Sequence, residues 1–191
     1  MIYRSTRDNS VAVGAAHAIA QGISPDGGLY LPAELPRLTL QDLEAMLDMD
    51  YRSRACRVLE GFLSDFTPAE IRESVEAAYG DQWDNPKIAP LAHLSPNAYM
   101  LELWHGPTCA FKDVALQLLP HLLTRAAHKT AGGKNIDILV ATSGDTGKAA
   151  LEGFADVPGT SITVFYPEEG VSQIQKLQMT TQEGNNVQVC G

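Results

Sequence analysis

Two short segments of the sequence combine residue types that can do chemistry on a small molecule. The first runs from Tyr99 to Asp113 and reads as an apolar strand, a Gly-Pro break and then Phe111-Lys112-Asp113 at the start of a helix. A lysine amine at such a turn is placed for covalent chemistry on a carbonyl group. The second segment, Ala141-Thr-Ser-Gly-Asp-Thr-Gly147, repeats the strand, loop and helix plan with small and polar residues. We interpret the two loops as halves of one site.

Lys112 is the candidate nucleophile. Most lysines in the first turn of a helix are solvated surface residues, and the residue alone leaves that alternative open. Two features favour a reactive amine: the helix dipole disfavours a cation at this position, and Phe111 together with a leucine-rich helix would remove water from it. A neutral amine suits a Schiff base with an aldehyde, which is how pyridoxal phosphate is held.

The loop after the second strand has the composition of an anion site. A Walker loop needs a glycine five positions before its Gly-Lys pair, where this sequence has Thr142, and Lys148 lacks a following Ser or Thr. We therefore reject a nucleotide site. Small residues between a buried strand and a helix can direct backbone amides toward an anion, and Ser143 and Thr146 add hydroxyl donors. The alternative is a tight turn capped by Asp145 or Thr146.

The elements that must position these loops alternate along the second half of the chain. Strands are expected at 98–104, 136–141, 161–166 and 186–190, and helices at 113–128, 147–155 and 172–180. This order predicts a parallel sheet with right-handed crossovers. The run Ile136–Ala141 is typical of a strand buried on both faces. Pro120 should kink the first helix, and Ser172 with Gln175 forms a capping box at the start of the last.

The first half of the chain is predicted to be mainly helical. Helices are expected at 11–20, capped by Asp8, Asn9 or Ser10, then from Thr39, at 51–63 and from Thr67, with strands at 2–5 and 29–31. The clearest helix start is Thr67-Pro-Ala-Glu70, which joins a capping threonine, a first-turn proline and a glutamate three residues later. A stretch rich in prolines and turns follows, at 84–97. We therefore predict two domains, 1–90 and 91–191.

Composition limits the class of protein. The 191 residues include 45% hydrophobic residues, enough for genuine cores, and the formal net charge is −9. This acidity argues against nucleic-acid and anionic-membrane partners. The cysteines are odd in number and widely spaced, which predicts a reduced protein without a disulfide framework. The sequence shows neither an apolar leader nor an apolar run of bilayer length, so we expect a soluble protein of the cytoplasm.

His105 and Cys109 have the spacing of a metal site or of a Cys/His nucleophile. Gly106-Pro107 interrupts any helix between them, and we expect no acidic or histidine partner nearby. We therefore interpret both as structural residues and expect no metal.

Several separated segments resemble the threonine synthase family. They are Tyr3–Arg7, Gly27–Pro32, Leu101–Asp113, Ala141–Gly147 and Gly170–Thr181, in order along the chain. The resemblance implies a mainly helical N-terminal domain followed by an incomplete parallel α/β sheet of the fold-type-II pyridoxal-phosphate fold, similar to the tryptophan synthase β subunit. It also implies a lyase of threonine biosynthesis that converts O-phospho-L-homoserine and water to L-threonine and phosphate.

The resemblance assigns roles to residues of both loops. Lys112 matches the family's catalytic Schiff-base lysine, and Phe111 and Asp145 are expected beside the cofactor. In relatives such as cysteine synthase an Asn stands at the position of Asp145, near the cofactor's ring hydroxyl. The loop that grips the substrate's carboxylate is expected to comprise Ser143, Gly144, Asp145, Thr146 and Gly147.

The end of the sequence and the choice of substrate leave alternatives. Because the cofactor's phosphate loop and the partner of its pyridine nitrogen are expected beyond Gly191, we expect these residues to be the N-terminal part of a longer polypeptide and to be inactive alone. A threonine synthase-like phospholyase or dehydratase of the same fold is the runner-up. A non-catalytic binding or oligomerisation module is the alternative from a different class. The expected partner is a small-molecule substrate, and a homo-oligomer stays open.

Overall fold

The chain folds into two units in the computed structural model, which describes residues 1–142 and 144–191. The first unit comprises Met1–Ala77 and His121–Lys134, and the second comprises Ala78–Pro120 and Asn135–Gly191. The two domains predicted from the sequence, 1–90 and 91–191, stay a prediction.

The first unit contains a small antiparallel sheet and a group of helices. In chain order its elements are β1 (Tyr3–Ser5), β2 (Ala12–Val13), α1 (Ala15–Gln21), β3 (Tyr30–Pro32), α2 (Leu40–Ala45), α3 (Tyr51–Phe62) and α4 (Pro68–Ala78). The sheet has the order β2-β1-β3 with both pairs antiparallel. Its core is made by buried apolar side chains such as Ala16, Leu63, Phe66, Ile71 and Val75.

Two helix starts of this unit form as local sequence patterns predict. Thr39 and Asp42 make a full capping box at α2. At α4 the amide of Glu70 donates to Thr67 Oγ1 at 3.2 Å, and the amide of Thr67 donates to Glu70 Oε2 at 2.6 Å. Both motifs need only residues within one turn of each other, so sequence alone locates them.

The start of α1 differs from the prediction. The sequence predicts a helix at 11–20 with a cap among Asp8, Asn9 and Ser10, but the helix begins at Ala15. Residues 12–13 are instead β2, where Val13 pairs with Tyr3. The N-cap is Gly14, and the amide of Ala16 donates to Asp65 Oδ2, 49 residues away, at 2.9 Å. The predicted cap is therefore wrong because a distant carboxylate satisfies the helix end.

The second unit contains a hairpin and a parallel sheet flanked by helices. Its strands are β4 (Leu91–Ser95) and β5 (Ala98–Leu101), which pair antiparallel, and β6 (Ile136–Ala141), β7 (Thr160–Phe165) and β8 (Val187–Cys190). The last three form a parallel sheet in the order β6-β7-β8, which confirms the predicted parallel pairing. The hairpin strand β4 was not predicted. The helices are α5 (Asp113–Leu116), α7 (Asp145–Phe154) and α8 (Gln173–Thr180), whereas α6 (Leu119–Ala131) begins in this unit and lies mostly in the first.

The long helix predicted over 113–128 is broken in two. Helix α5 ends at Leu116, and Pro120 lies in the first turn of α6, where its missing amide costs little. A Cβ added to Gly153 of α7 would collide with the carbonyl oxygen of Leu116. The backbone of α7 thus approaches the end of α5 closely, and the predicted kink is instead a break.

Strand β6 is not buried on both faces as predicted. Its residues alternate between half-buried and exposed, and Leu139 is 72% exposed. In the described residues one face of the strand is covered and the other is not. Within the described residues no helix is long and apolar enough to cross a membrane.

Candidate active site

Lys112 lies at the N-cap of α5, three residues after the end of the Gly106–Cys109 turn. The amide of Cys109 donates to the carbonyl of Gly106 at 3.0 Å, and Cys109 adopts a left-handed conformation with φ 57°. The lysine side chain is half-buried, and its Nζ is 4.8 Å from the ring centroid of the exposed Phe111. Among residues 1–142 and 144–191 no carboxylate forms an ion pair with Lys112.

Asp113 fixes the turn that presents Lys112, a role that the sequence motifs did not indicate. Its carboxylate is fully buried. Oδ2 accepts from the amide of Thr108 at 2.8 Å, and Oδ1 accepts from Thr108 Oγ1 at 2.6 Å. A Cβ on Gly106 would lie 2.6 Å from Asp113 Oδ2, so the turn closes directly over the carboxylate. The available signal was an acidic residue beside the candidate lysine, five positions after a threonine in a Gly-Pro turn.

Neither the helix dipole nor the Phe111 ring makes the Lys112 amine as reactive as the sequence predicted. The expected dipole came from a helix running to residue 128, whereas α5 has 4 residues. A helix dipole builds from aligned peptide units, so one turn supplies little of it. The exposed Phe111 likewise does not seal the amine from water. The structure therefore supports the placement of Lys112, through the Asp113–Thr108 contacts, and not a dipole that would favour its neutral form.

The second loop leads from β6 into α7. Ser143 lies outside the described residues. The N-cap of α7 is Gly144 with no side-chain cap hydrogen bond, so the alternative of a cap by Asp145 or Thr146 is wrong. The amide of Gly144 donates to Thr142 Oγ1 at 3.2 Å, and Asp145 and Thr146 are exposed.

Gly147 lies in α7 at a point where the helix packs against strand β7. It is buried, and an added Cβ would collide with Thr142 Cγ2 and lie 3.1 Å from Val164 Cγ1 and 3.2 Å from Met179 Sδ. Glycine at this position permits the close approach of α7 to β7 and α8. The structure thus gives Gly147 a packing role, and its predicted contact with substrate stays a prediction.

Asp145 is tied to α8 by Gln175. The side-chain amide Nε2 of Gln175 donates to Asp145 Oδ1 at 3.0 Å, across 30 residues of sequence. The backbone amide of Gln175 also donates to Ser172 Oγ at 3.2 Å, so Ser172 is the N-cap of α8 as predicted. The side chain of Gln175 bonds the Ser172 hydroxyl and not its backbone amide, so only half of the predicted capping box forms. The capping pattern revealed Gln175, but nothing in the sequence pointed from it to Asp145.

His105 is bonded on both ring nitrogens, contrary to the expectation that it has no acidic partner. Nδ1 lies 2.5 Å from Asp84 Oδ1, and Nε2 lies 2.8 Å from Glu102 Oε2. The hydrogen bond to Glu102 and, after it, the one to Asp84 raise the pKa of His105 above its ordinary value. The pairing ties residue 84 to the strand end before the Gly106 turn. Cys109 is a free, exposed cysteine.

Both loops lie in the second unit, so each half of the expected site belongs to one folded body. Helix α5 packs on α7 through Leu116 and Gly153, and α7 packs on α8 through Gly147 and Met179. This packing fixes the elements that carry Lys112, Asp145 and their supporting residues.

Comparison with known proteins points to one family. Residues 2–79 match the family model described as threonine synthase N terminus. The chain is 40% identical over 188 residues to threonine synthase of Pseudomonas aeruginosa, covering 98% of this chain and 39% of that protein. It is also 41% identical over 179 residues to human threonine synthase-like 1, covering 90% of this chain and 24% of that protein.

Solved structures agree with the sequence relatives. The crystal structure of pyridoxal-phosphate-bound threonine synthase from Brucella melitensis superposes with a TM-score of 0.91 at 38% identity, covering 99% of this chain and 40% of that one. The fold prediction, a fold-type-II architecture, is thereby confirmed. The chain spans about two fifths of the length of the threonine synthases that it matches. Over nearly all of its residues, the chain matches the N-terminal part of threonine synthases.

Proposed function

We propose that the protein is a threonine synthase, which uses pyridoxal phosphate to convert O-phospho-L-homoserine and water to L-threonine and phosphate. The observation that carries this proposal is the superposition, at a TM-score of 0.91, on a threonine synthase crystallised with pyridoxal phosphate. The 40% identity to the P. aeruginosa enzyme over 188 residues supports the same reaction. Both candidate loops lie inside the matched region.

The residues present fit the aldehyde-bearing and anionic parts of such a cofactor–substrate pair. Lys112 offers a half-buried amine that no carboxylate neutralises within the described residues. At the N-terminus of α7, Gly144 provides no side-chain cap, and although the amide of Gly144 donates to Thr142 Oγ1 at 3.2 Å, an anionic ligand could use the amides of the first turn that follow it. When bound, pyridoxal phosphate supplies an electron-withdrawing ring that stabilises negative charge on the substrate's carbon atoms.

We assign two tasks to Lys112. Its Nζ would hold the cofactor's aldehyde covalently, and the same Nζ, once free, would move protons at the substrate's Cα and Cβ. One lysine can transfer protons at successive substrate carbons because its amine, once free of the cofactor, stays within reach of them. Asp113 and Thr108 keep the turn beneath it in place.

We assign the substrate's carboxylate to the start of α7. Thr146 would offer a backbone amide and a hydroxyl there, together with Ser143, and the Gly144 amide would exchange its bond to Thr142 Oγ1 for one to the carboxylate. Asp145, which only accepts hydrogen bonds when ionised, would face a protonated group on the cofactor rather than its phenolate. Phe111 would lie beside the cofactor, and Gly147 would let α7 approach the site.

Borohydride reduction tests the assignment of Lys112. The full-length protein is incubated with pyridoxal phosphate, reduced and digested, and the labelled peptide is identified by mass spectrometry. We expect the label on Lys112, and at least a tenfold loss in Lys112→Ala, because only a lysine amine forms the reducible bond. The matched control is Lys134→Ala, which removes an exposed lysine of a loop and should keep the label. Equal labelling of both variants would favour a non-catalytic module.

A phospholyase or dehydratase is the second candidate, and the 41% identity to human threonine synthase-like 1 favours keeping it. The two activities differ in product. Both release phosphate from O-phosphohomoserine, but water addition at Cβ gives threonine, whereas hydrolysis after elimination gives a keto acid and ammonia. Threonine as the main product, measured by amino-acid analysis with phosphate release, supports the synthase. A keto acid as the main product supports the second candidate.

The remaining expectations form part of the same proposal. The partner is a small-molecule substrate, the protein acts in the cytoplasm without nucleic-acid or membrane partners, and a homo-oligomer is to be tested by sedimentation. Residues 1–191 alone should neither turn over O-phosphohomoserine nor bind the cofactor well, since they correspond to 39% of the P. aeruginosa relative. Activity of that polypeptide by itself would contradict this part.

A further inference from the structure

Gln175 makes three hydrogen bonds, two to Ser172 at the start of α8 and one that joins α8 to the end of the second loop. Its backbone amide donates to Ser172 Oγ at 3.2 Å, and its side-chain Oε1 accepts from the same hydroxyl at 3.1 Å. Its side-chain Nε2 donates to Asp145 Oδ1 at 3.0 Å. The side chain thus lies between a helix cap and a carboxylate that the loop exposes.

The orientation of this amide follows from the partners on either side. An ionised carboxylate only accepts hydrogen bonds, so the nitrogen of the Gln175 amide must face Asp145. The oxygen then faces Ser172, whose hydroxyl can donate to it. Asp145 therefore fixes which end of the amide it meets, and the Ser172 hydroxyl, which also starts α8, holds the other end.

The backbone of the second loop lies close to the Gln175 side chain. A Cβ on Gly144 would lie 2.6 Å from Gln175 Nε2 and 3.2 Å from its Cδ. One helical turn further, the buried Met179 lies against Gly147, so α8 is anchored on α7 by the same face that carries Gln175. The side chain bridges the two helices at the loop.

We propose that Gln175 is a positioning residue for the reaction, which sets the direction of the Asp145 carboxylate toward the bound cofactor and substrate. This inference rests on the proposed function. Because Oδ1 is engaged by Gln175, the carboxylate has one oxygen committed and the other left for the ligand. Without the amide donor, Asp145 rotates freely at the exposed end of α7.

A double-mutant cycle separates this role from simple stabilisation of α8. Gln175→Glu keeps the size of the side chain but places a second carboxylate against Asp145. We expect kcat to fall about tenfold and the visible absorbance band of the bound cofactor to shift, because a hydrogen bond to a charged group is replaced by repulsion. When Asp145→Asn is also present, the new amide can donate to the new carboxylate, so Gln175→Glu should then change kcat by less than about twofold.

Controls separate the outcomes. Gln178→Glu makes the same charge change at an exposed position of α8 and should leave the spectrum unchanged. Gln175→Met keeps the volume without polar atoms and should reproduce the spectral shift if Gln175→Glu fails to fold. Equal effects of Gln175→Glu with and without the Asp145→Asn substitution would overturn the inference, as would an unchanged spectrum. If the wild-type protein traps no cofactor at Lys112, the proposed function itself fails, which is a different result.

Discussion

Removing the Asp113 carboxylate should open the turn that presents Lys112. Asp113→Ala leaves the amide and the hydroxyl of Thr108 without their acceptor in a buried place. Each hydrogen bond to a charged acceptor is worth roughly 1.5–3 kcal/mol. The variant also removes the cost of burying a charge, which offsets part of that loss. We therefore expect a net local cost of about 3 kcal/mol.

Hydrogen exchange measures this cost locally, without assuming that a chain of two units unfolds in one step. A change of about 3 kcal/mol in local opening accelerates exchange of the Thr108 amide roughly a hundredfold. The readout is deuterium uptake of the peptide spanning residues 106–113 in the full-length protein. Asp113→Asn should accelerate exchange less, because one amide oxygen can still accept from the Thr108 amide.

Thr108→Val provides the matched control. It removes the hydroxyl donor but keeps the backbone amide, so it should cost about half as much as Asp113→Ala. Uptake in Asp113→Ala that differs from wild type by less than about threefold would refute the reasoning, because the carboxylate would then contribute little to the turn. Normal uptake combined with lost trapping at Lys112 would instead mean that Asp113 acts on the amine directly.

Two further predictions follow from the second unit. Gly147→Ala should lower the thermal midpoint, since an overpacking cost of about 1–3 kcal/mol outweighs the gain in helix propensity of about 1 kcal/mol. Adding Thr142→Ser removes the methyl group nearest to the new Cβ and should restore most of the lost thermal midpoint. A double variant that melts no higher than Gly147→Ala would contradict this contact. Glu102 and Asp84 raise the pKa of His105, so protonated His105 stabilises the folded state. This contribution to the free energy of unfolding is complete below the pKa of unfolded histidine, about 6.5, and is lost as pH rises through the raised pKa of the folded state. The urea midpoint of wild type should fall over that range relative to His105→Gln, and parallel pH profiles would argue against the paired histidine.

Sequence alone determined the features that depend on neighbours within one turn or on a simple alternation. The caps at Thr39 and Thr67 formed because both partners of each lie within one turn of the same helix start. The parallel pairing of β6, β7 and β8 followed from strands separated by helices, since such crossovers join parallel strands, whereas their order in the sheet was not predicted. The motifs around Lys112 and Asp145 were sufficient to indicate the family, because their residue types and order are specific in combination.

Tertiary structure decided whatever depends on residues far apart in the chain. Residues 12–13 became a strand because β1 was available to pair with them, and Asp65 capped the shortened helix from 49 residues away. The hydrogen bond between Gln175 and Asp145 joins residues 30 positions apart, so no local sequence pattern could predict it. Hydrogen bonds and close contacts act over a few ångströms of space, and sequence distance says little about them until the chain has folded.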